Sequence, residues 1–289
     1  MDEAYANLGV CFFSDRLYYS VSAPNNSGHL SRIGAYNFNF DVMDAISSRH
    51  PEHFPHITAA FQNLHNEFEI TSVRGLTNPA NECWTVLPKV VYDNADERED
   101  HLAILMKGVN REDIEPIWHT TSKSQQKFLC LRRRGFMNGF EELTQTVATN
   151  EFASDFEIAQ KWSGFAKPGG SFLMIGCHKN VVSITSFLLG KFRAATYISF
   201  DQPEDLPYHW LQNASHLNWM KGLYEHIYMF GFHTHHIEQV LRGFWDESAQ
   251  ITTLNSLQSI GVTADEETYG FDLAEAFPAI LLSLDFYPL

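Results

Sequence analysis

From Gly169 to Phe200 the apolar positions fall into three blocks separated by turn residues, and each block predicts a strand. Phe172 to Gly176 is a short apolar run that ends in Gly176-Cys177-His178-Lys179-Asn180, a stretch with turn chemistry. Val181 to Leu188 is rich in β-branched residues, Gly190-Lys191 makes a second turn, and Phe192 to Phe200 alternates. A long helix is expected over Pro203 to His226, with Glu204 and Asp205 in its first turn and Trp210, Leu217, Met220 and Tyr224 on its buried face. Ile227 to Gly231 reads as a strand ended by glycine. Thr234 reads as the cap of a helix with Ile237, Val240, Leu241 and Phe244 on one face, and Ala249 to Leu254 as a further strand. Asp272 and Glu275 have capping-box spacing before an apolar helix over Ala274 to Phe286, in which Pro278 disturbs the first turns.

The first half opens with the same grammar. Leu8 to Phe13 and Leu17 to Ala23 are strands around a Ser14-Asp15-Arg16 turn, with Leu17, Tyr19 and Val21 on one face. Pro24 to Gly28 is a loop, Ser31 to Phe40 a weakly alternating strand, and Asp41 to Ile46 a short helix. A loop over Arg49 to His56 leads to a helix over Ile57 to His65. Phe68 to Val73 and Trp84 to Leu87 read as a strand pair around a loop at Gly75 to Asn81. The acidic run Asp93 to Asp100 is a solvated helix start. Ile114 to His119 pairs with Lys127 to Leu131, and Arg132-Arg133-Arg134 closes that pair as a solvated strand end, with anion binding as the functional alternative. Helices follow over Phe136 to Val147 and Phe152 to Phe165. Lys167-Pro168-Gly169-Gly170 is the expected domain boundary, giving domains 1–166 and 167–289. The two strand–turn–strand units lie about 160 residues apart and repeat in pattern, not in residues.

Composition narrows the function classes. A hydrophobic content of 44% with 19% charged residues is that of a globular chain. Thirty-five acidic against twenty basic side chains, a net −15, argue against nucleic acid and against anionic membrane surfaces as general partners. No apolar run reaches membrane-spanning length, so no membrane insertion is expected, and the acidic MDEAYANLGV start lacks the positive charge of a signal peptide. Cys11, Cys83, Cys130 and Cys177 are widely spaced without a CxxC and read as reduced, buried residues, which fits a cytoplasmic protein.

Three segments carry a family resemblance: NLGVCFFSDRLYYSV at the first hairpin, WTVLPKVVYDNADEREDHLAIL from Trp84 to Leu105, and the second meander with its IYMFG strand. Together they resemble the bacterial domain-of-unknown-function family 3822, whose members look like degenerate actin-like ATPases. A more distant likeness is to actin-like assembly scaffolds of type IV pili and type II secretion. The resemblance implies an α/β, duplicated actin-like ATPase (ribonuclease H-like) fold, with two mixed β-sheet domains flanked by helices around a cleft. In active relatives two Asp-Gly hairpin turns cradle phosphates with backbone N–H groups, carboxylates hold Mg²⁺, and a late Gly-Gly opens space for adenosine. Carried over, the first turn falls on Ser14, Asp15 and Arg16, with one carboxylate and no glycine. The second falls on Gly176, His178, Lys179 and Asn180 without a carboxylate, and the adenosine position on Gly231 and His233, with Phe232 in place of the second glycine.

His233-Thr234-His235-His236 contains an H-x-H pair of the kind that opens amidohydrolase metal sites. Only 53 residues follow His236, too few for such a barrel, so no metal is expected there. His50, His53 and His56 read as solvated, and no P-loop, G-x-S-x-G or H-E-x-x-H occurs. The expectation is a non-catalytic actin-like binding or assembly module with degenerate phosphate loops, no cofactor and a protein partner, a homodimer being one candidate. The alternative is a nucleotide-binding switch or phosphotransferase, with ATP and Mg²⁺ in the cleft and His178 and Lys179 replacing the usual cation.

Overall fold

The computed structural model describes residues 5–23, 28–77, 79, 81–119, 126–147, 149–265 and 270–284. The chain begins with β1 (Tyr5–Phe13), β2 (Arg16–Ser22), β3 (His29–Leu30), β4 (Arg32–Asn37), α1 (Val42–Ser48), α2 (Phe54–Glu67) and β5 (Glu69–Thr77). It continues through β6 (Glu82–Pro88), α3 (Lys89–Asp93), α4 (Ala95–Leu105), β7 (Ile114–His119), β8 (Gln126–Arg133), α5 (Arg134–Leu143), β9 (Thr149–Ser154) and α6 (Asp155–Ala166). The second half comprises β10 (Phe172–Cys177), β11 (Val181–Leu188), β12 (Lys191–Ser199), α7 (Leu206–His216), β13 (His226–Gly231), α8 (Thr234–Leu241) and β14 (Gln250–Thr253). It closes with α9 (Leu257–Ile260), β15 (Thr263–Ala264) and α10 (Leu273–Ser283).

The two large sheets have one topology. The first runs β4-β2-β1-β5-β9 and the second β12-β11-β10-β13-β14. In each, the opening three strands are antiparallel neighbours and the last two are parallel to the first. Strand alternation gives each sheet two apolar faces. Leu8, Val10, Phe12, Leu17 and Val21 face a core shared with α1, α2 and α5, while Leu173, Ile175, Val182 and Ile184 face α7 and α8. The opposite faces, with Cys11, Phe13 and Tyr18 from one sheet and Phe172, Met174 and Phe187 from the other, meet in one core with α6 and α10.

Every residue of α10 is buried, which suits a helix apolar on all sides. Its approach to β1 depends on Gly9: a Cβ there would lie 2.0 Å from the Ala279 carbonyl oxygen and 2.5 Å from the Ser283 nitrogen. Pro278 is accommodated inside the helix.

A three-stranded unit, β6-β8-β7, stands between β5 and β9 in the sequence. A buried polar network ties it to the first sheet. Arg132 Nε donates to Glu82 Oε2 at 3.1 Å, Thr77 Oγ1 donates to the same oxygen at 2.7 Å, and Arg132 Nη2 reaches Ser154 Oγ at 3.3 Å. Phe128 stacks on Phe156 of α6 at 3.8 Å, and Trp84 packs edge-on against Tyr197 of β12. Beside it the Cys83 thiol lies 2.9 Å from the Tyr197 hydroxyl.

Several expectations change. Phe68–Val73 and Trp84–Leu87 are strands but not partners: β5 pairs with β1 and β9, and β6 with β8, because the loop between them changes sheets. Gly75 belongs to β5 and not to that loop. Phe152 lies in β9, and the helix begins at Asp155, where Glu157 accepts from the Ser154 N–H at 2.9 Å. The expected helix over Pro203 to His226 stops at His216. A 3-10 turn over Asn218–Lys221 and Gly222 then return the chain to β13. α2 starts at Phe54, three residues early, with Pro55 in its first turn. His233, in the left-handed region at φ 53°, precedes α8 where Thr234 was expected to cap. Arg132 is buried and ion-paired instead of solvated, and Cys83 is exposed instead of buried. Most of the Pro24 to Gly28 loop and the end of the last helix at Phe286 lie outside the described residues.

Gly9→Ala is expected to cost about 3 kcal/mol in denaturant unfolding, because the backbone on the far side cannot move aside cheaply. Gly243→Ala, which meets nothing within 4 Å, should stay within about 0.5 kcal/mol of wild type.

Candidate functional site

The matched topology puts the two hairpin turns, Ser14-Asp15 and His178-Lys179-Asn180, at one cleft of about 300 Å³. Ser14, His178, Lys179 and Asn180 line it, together with Phe13, Asp41, Asp44, Asn81, Arg133 and Phe232. The first turn is pinned from behind: the Ser14 carbonyl accepts from Val42 N–H and the Asp15 carbonyl from Phe38 N–H, both at 2.8 Å. The second closes on itself, with His178 N–H donating to Val181 O at 2.9 Å.

His178 is the buried hinge pin of the cleft. Its ring stacks on Phe13 at 5.3 Å with 12° between planes, so a residue of the second turn leans on one beside the first. Its Nε2 lies 2.5 Å from Asp155 Oδ2, with the two side chains 6% and 1% exposed. Asp155 occupies the first position of α6, where a carboxylate complements the helix dipole. The outer atoms of the pair, His178 Nδ1 and Asp155 Oδ1, are buried without a hydrogen-bond partner among the described residues.

The remaining expected site residues do not line the cleft. Arg16 Nη1 donates to the Tyr18 hydroxyl at 3.1 Å and lies 3.8 Å from Glu275. Tyr18 in turn donates to Glu275, so the first-turn guanidinium is engaged by α10. Burial holds the Glu275 carboxyl above its ordinary range, opposed by the Tyr18 hydrogen bond and Arg16, and burial likewise raises Tyr18. Gly176 lies beneath the cleft: a Cβ there would come within 2.6 Å of Ser183 Oγ and 3.0 Å of Asp155 Oδ2. Gly231, at φ +97°, sits 2.2 Å in Cβ terms from the Cys177 carbonyl, so strand packing alone requires its glycine. His233 stacks on Phe232 at 3.8 Å.

The three consecutive arginines diverge. Arg132 turns inward to Glu82, Arg133 lines the cleft, and Arg134 donates to Ile114 O and approaches Glu115. The cleft wall thus carries Lys179 and Arg133 against Asp41 and Asp44, a set balanced in formal charge. The histidine clusters spread as well. His235 pairs with Gln239 and His236 with Glu204, while His50 stacks on His53 and His53 on Phe40. Among the described residues no group of three His, Cys, Asp or Glu is arranged to hold a metal.

Sequence reasoning missed Phe13 as a cleft-lining residue, and Asp155 and Glu275 as the groups that engage His178 and Arg16. Ser154-Asp155-Phe156-Glu157 carries a capping-box signal that places Asp155 at a helix start, but nothing in the sequence pairs it with His178.

No family model matches the chain, and no curated protein sequence matches it. Solved structures share its fold, among them the following two. One is a protein of Bacteroides thetaiotaomicron with an actin-like ATPase fold and unknown function, 15% identical, covering 88% of this chain and 93% of that one at a TM-score of 0.57. The other belongs to the PilM–PilN type IV pilus biogenesis complex, 12% identical, covering 96% and 97% at a TM-score of 0.65. The fold is therefore the actin-like ATPase fold.

His178→Ala strands the buried Asp155 carboxylate and is expected to cost about 3 kcal/mol by urea unfolding. A double-mutant cycle with Asp155→Ala should return a coupling of about 1–3 kcal/mol; strictly additive losses would mean the pair does not act as a unit. Glu275, with its folded pKa raised, binds its proton more tightly when folded. Its contribution is therefore present below the ordinary glutamate value and lost as pH rises through the raised one. Glu275→Gln should flatten that downward slope in a stability–pH profile.

Proposed function

We propose that this chain is a non-catalytic actin-like protein of the bacterial family 3822, cytoplasmic and built of domains 1–166 and 167–289, that serves as a binding or assembly module. The observation that carries the reading is the His178 contact. Where an active relative would hold phosphate between its two turns, this protein holds an imidazole stacked on Phe13 and bonded to Asp155. The carboxylate of the first turn, Asp15, is not among the cleft-lining residues, and Arg16 is engaged by Tyr18 and Glu275. His178 and Arg16 are thus engaged by the strands and helices behind the turns, which supports a role in presenting surface to a protein partner. The fold it shares with a chain of the PilM–PilN type IV pilus biogenesis complex agrees with such a role.

A second reading, a nucleotide-binding switch or phosphotransferase, rests on Lys179 and Arg133 at the cleft wall. Thermal unfolding with and without millimolar Mg·ATP, ADP and GTP separates the two. A ligand at about a hundred times its Kd adds about 2.7 kcal/mol, a shift of several degrees. The expected result is no shift and no phosphate release. Stabilisation by ATP that Lys179→Ala abolishes would establish the second reading instead.

A further inference from the structure

The end of the second sheet away from the cleft has a distinct surface. β10, β11 and β13 stand in register with Phe187 beside Phe172 and Phe172 beside His226, so the residues just beyond them form one rim. The rim is stitched together: Gly190 N–H donates to Gly170 O at 3.3 Å, Glu225 N–H to Ser171 O at 2.9 Å, and the Tyr224 hydroxyl lies 2.9 Å from Ser186 Oγ. Two loop tips project from it. One is the two-residue turn Leu189-Gly190 between Leu188 and its cross-strand partner Lys191; the other is the Gly222-Leu223 loop before β13.

Both tips carry bare leucines: Leu188 is 49% exposed, Leu189 76% and Leu223 80%. Leu189 is also in the wrong conformation for its type. It has φ 51° and Gly190 φ 71°, the positive pair of a type I′ hairpin turn, where asparagine or glycine fits easily and leucine does not. Neither packing nor turn geometry explains a leucine there, since its side chain is left largely in solvent.

The charged side chains next to the Leu188-Leu189 tip in the sequence are basic. Lys167, Lys191 and Lys221, all exposed, flank the leucines in a chain whose net charge is −15. The Glu225 carboxylate turns back to accept from Ser171 N–H at 3.3 Å. Asp246 and Glu247 precede β14, three strands from β11 and thus on the order of 15 Å from the Leu189 tip, but next to β13 and so on the side of the Leu223 tip.

We propose that this rim is a peripheral docking surface for an anionic lipid bilayer. Leu188, Leu189 and Leu223 enter the acyl boundary while the three lysines extend their stems to the headgroups. Separate apolar tips suit a deformable surface better than a protein partner. The overall acidity of the chain does not oppose this, because charge farther away than a Debye length is screened. The inference stands apart from the reading of the cleft and does not require it.

The test is sedimentation of the 289-residue protein with vesicles of phosphatidylcholine containing roughly a third phosphatidylglycerol, and with phosphatidylcholine alone. The protein should pellet with the anionic vesicles, and partitioning should drop about tenfold on neutral vesicles and again at high salt. Leu189→Asn preserves or improves the turn, so its thermal midpoint should hold or rise while vesicle binding falls about tenfold. Lys191→Glu with Lys221→Glu should remove the preference for anionic lipid. A wild-type protein that stays in the supernatant, or a Leu189→Asn variant that binds like wild type, overturns the proposal. Self-association without lipid that Leu189→Asn abolishes also overturns it, and would assign the rim to a second copy of the chain.

Discussion

The fold depends on one close approach, that of the α10 backbone to β1 at Gly9. A helix from the second half of the sequence lies directly on the central strand of the first sheet, so neither sheet has a complete core by itself. Both inner faces drain into the same apolar cluster, and α10 is buried on every side within it. The two halves are thereby joined by hydrophobic burial, which is non-directional, and are oriented by the few polar contacts that survive inside. Among those contacts are Tyr18 with Glu275, Ser20 and Ser22 with Ser283, and His178 with Asp155.

This division of labour accounts for the state of the cleft. In a nucleotide-dependent protein of this fold, ligand atoms complete the polar side of the space between the hairpins. Here Arg16 is engaged by Tyr18 and Glu275 and His178 by Asp155, while Lys179, Asn180 and Arg133 line the cleft. Two buried atoms of the second pair, His178 Nδ1 and Asp155 Oδ1, have no partner among the described residues, so that pair is close but incompletely satisfied. The Glu82–Arg132 pair does the same work for the three-stranded unit, fixing it against β5 and β9 with burial pushing the Glu82 carboxyl upward.

What the sequence made legible was local. Alternation and turn chemistry located both hairpins, the short strand ending at Gly231 and the helix starting after Asp41. The duplicated topology followed from two hairpins of one pattern, and the structure extends it to five strands each. β9 was missed because Thr149 to Glu151 are exposed and polar, leaving little period-two signal, and Phe152 to Ser154 were read as the start of the next helix. Glu275 was read as a capping residue because its spacing from Asp272 fits. In the fold its carboxylate turns to Tyr18, 257 residues away in sequence, and Asp272 caps the helix alone. Spacing rules describe neighbours along the chain, so pairs such as His178 with Asp155 leave no trace in them. The glycine at 231 shows the converse: its type was read correctly, but the structure shows that packing against Cys177 is sufficient to demand it.

The seam between the three-stranded unit and the second sheet has a practical consequence. Cys11, Cys130 and Cys177 are buried, and burial raises their thiols far above the range in which thiolate forms. Cys83 alone is exposed, and it sits where β6 meets β12, against the Tyr197 hydroxyl. The wild-type protein therefore carries a single natural attachment point for a spectroscopic probe, placed where any separation of these two sheets would change the probe's surroundings.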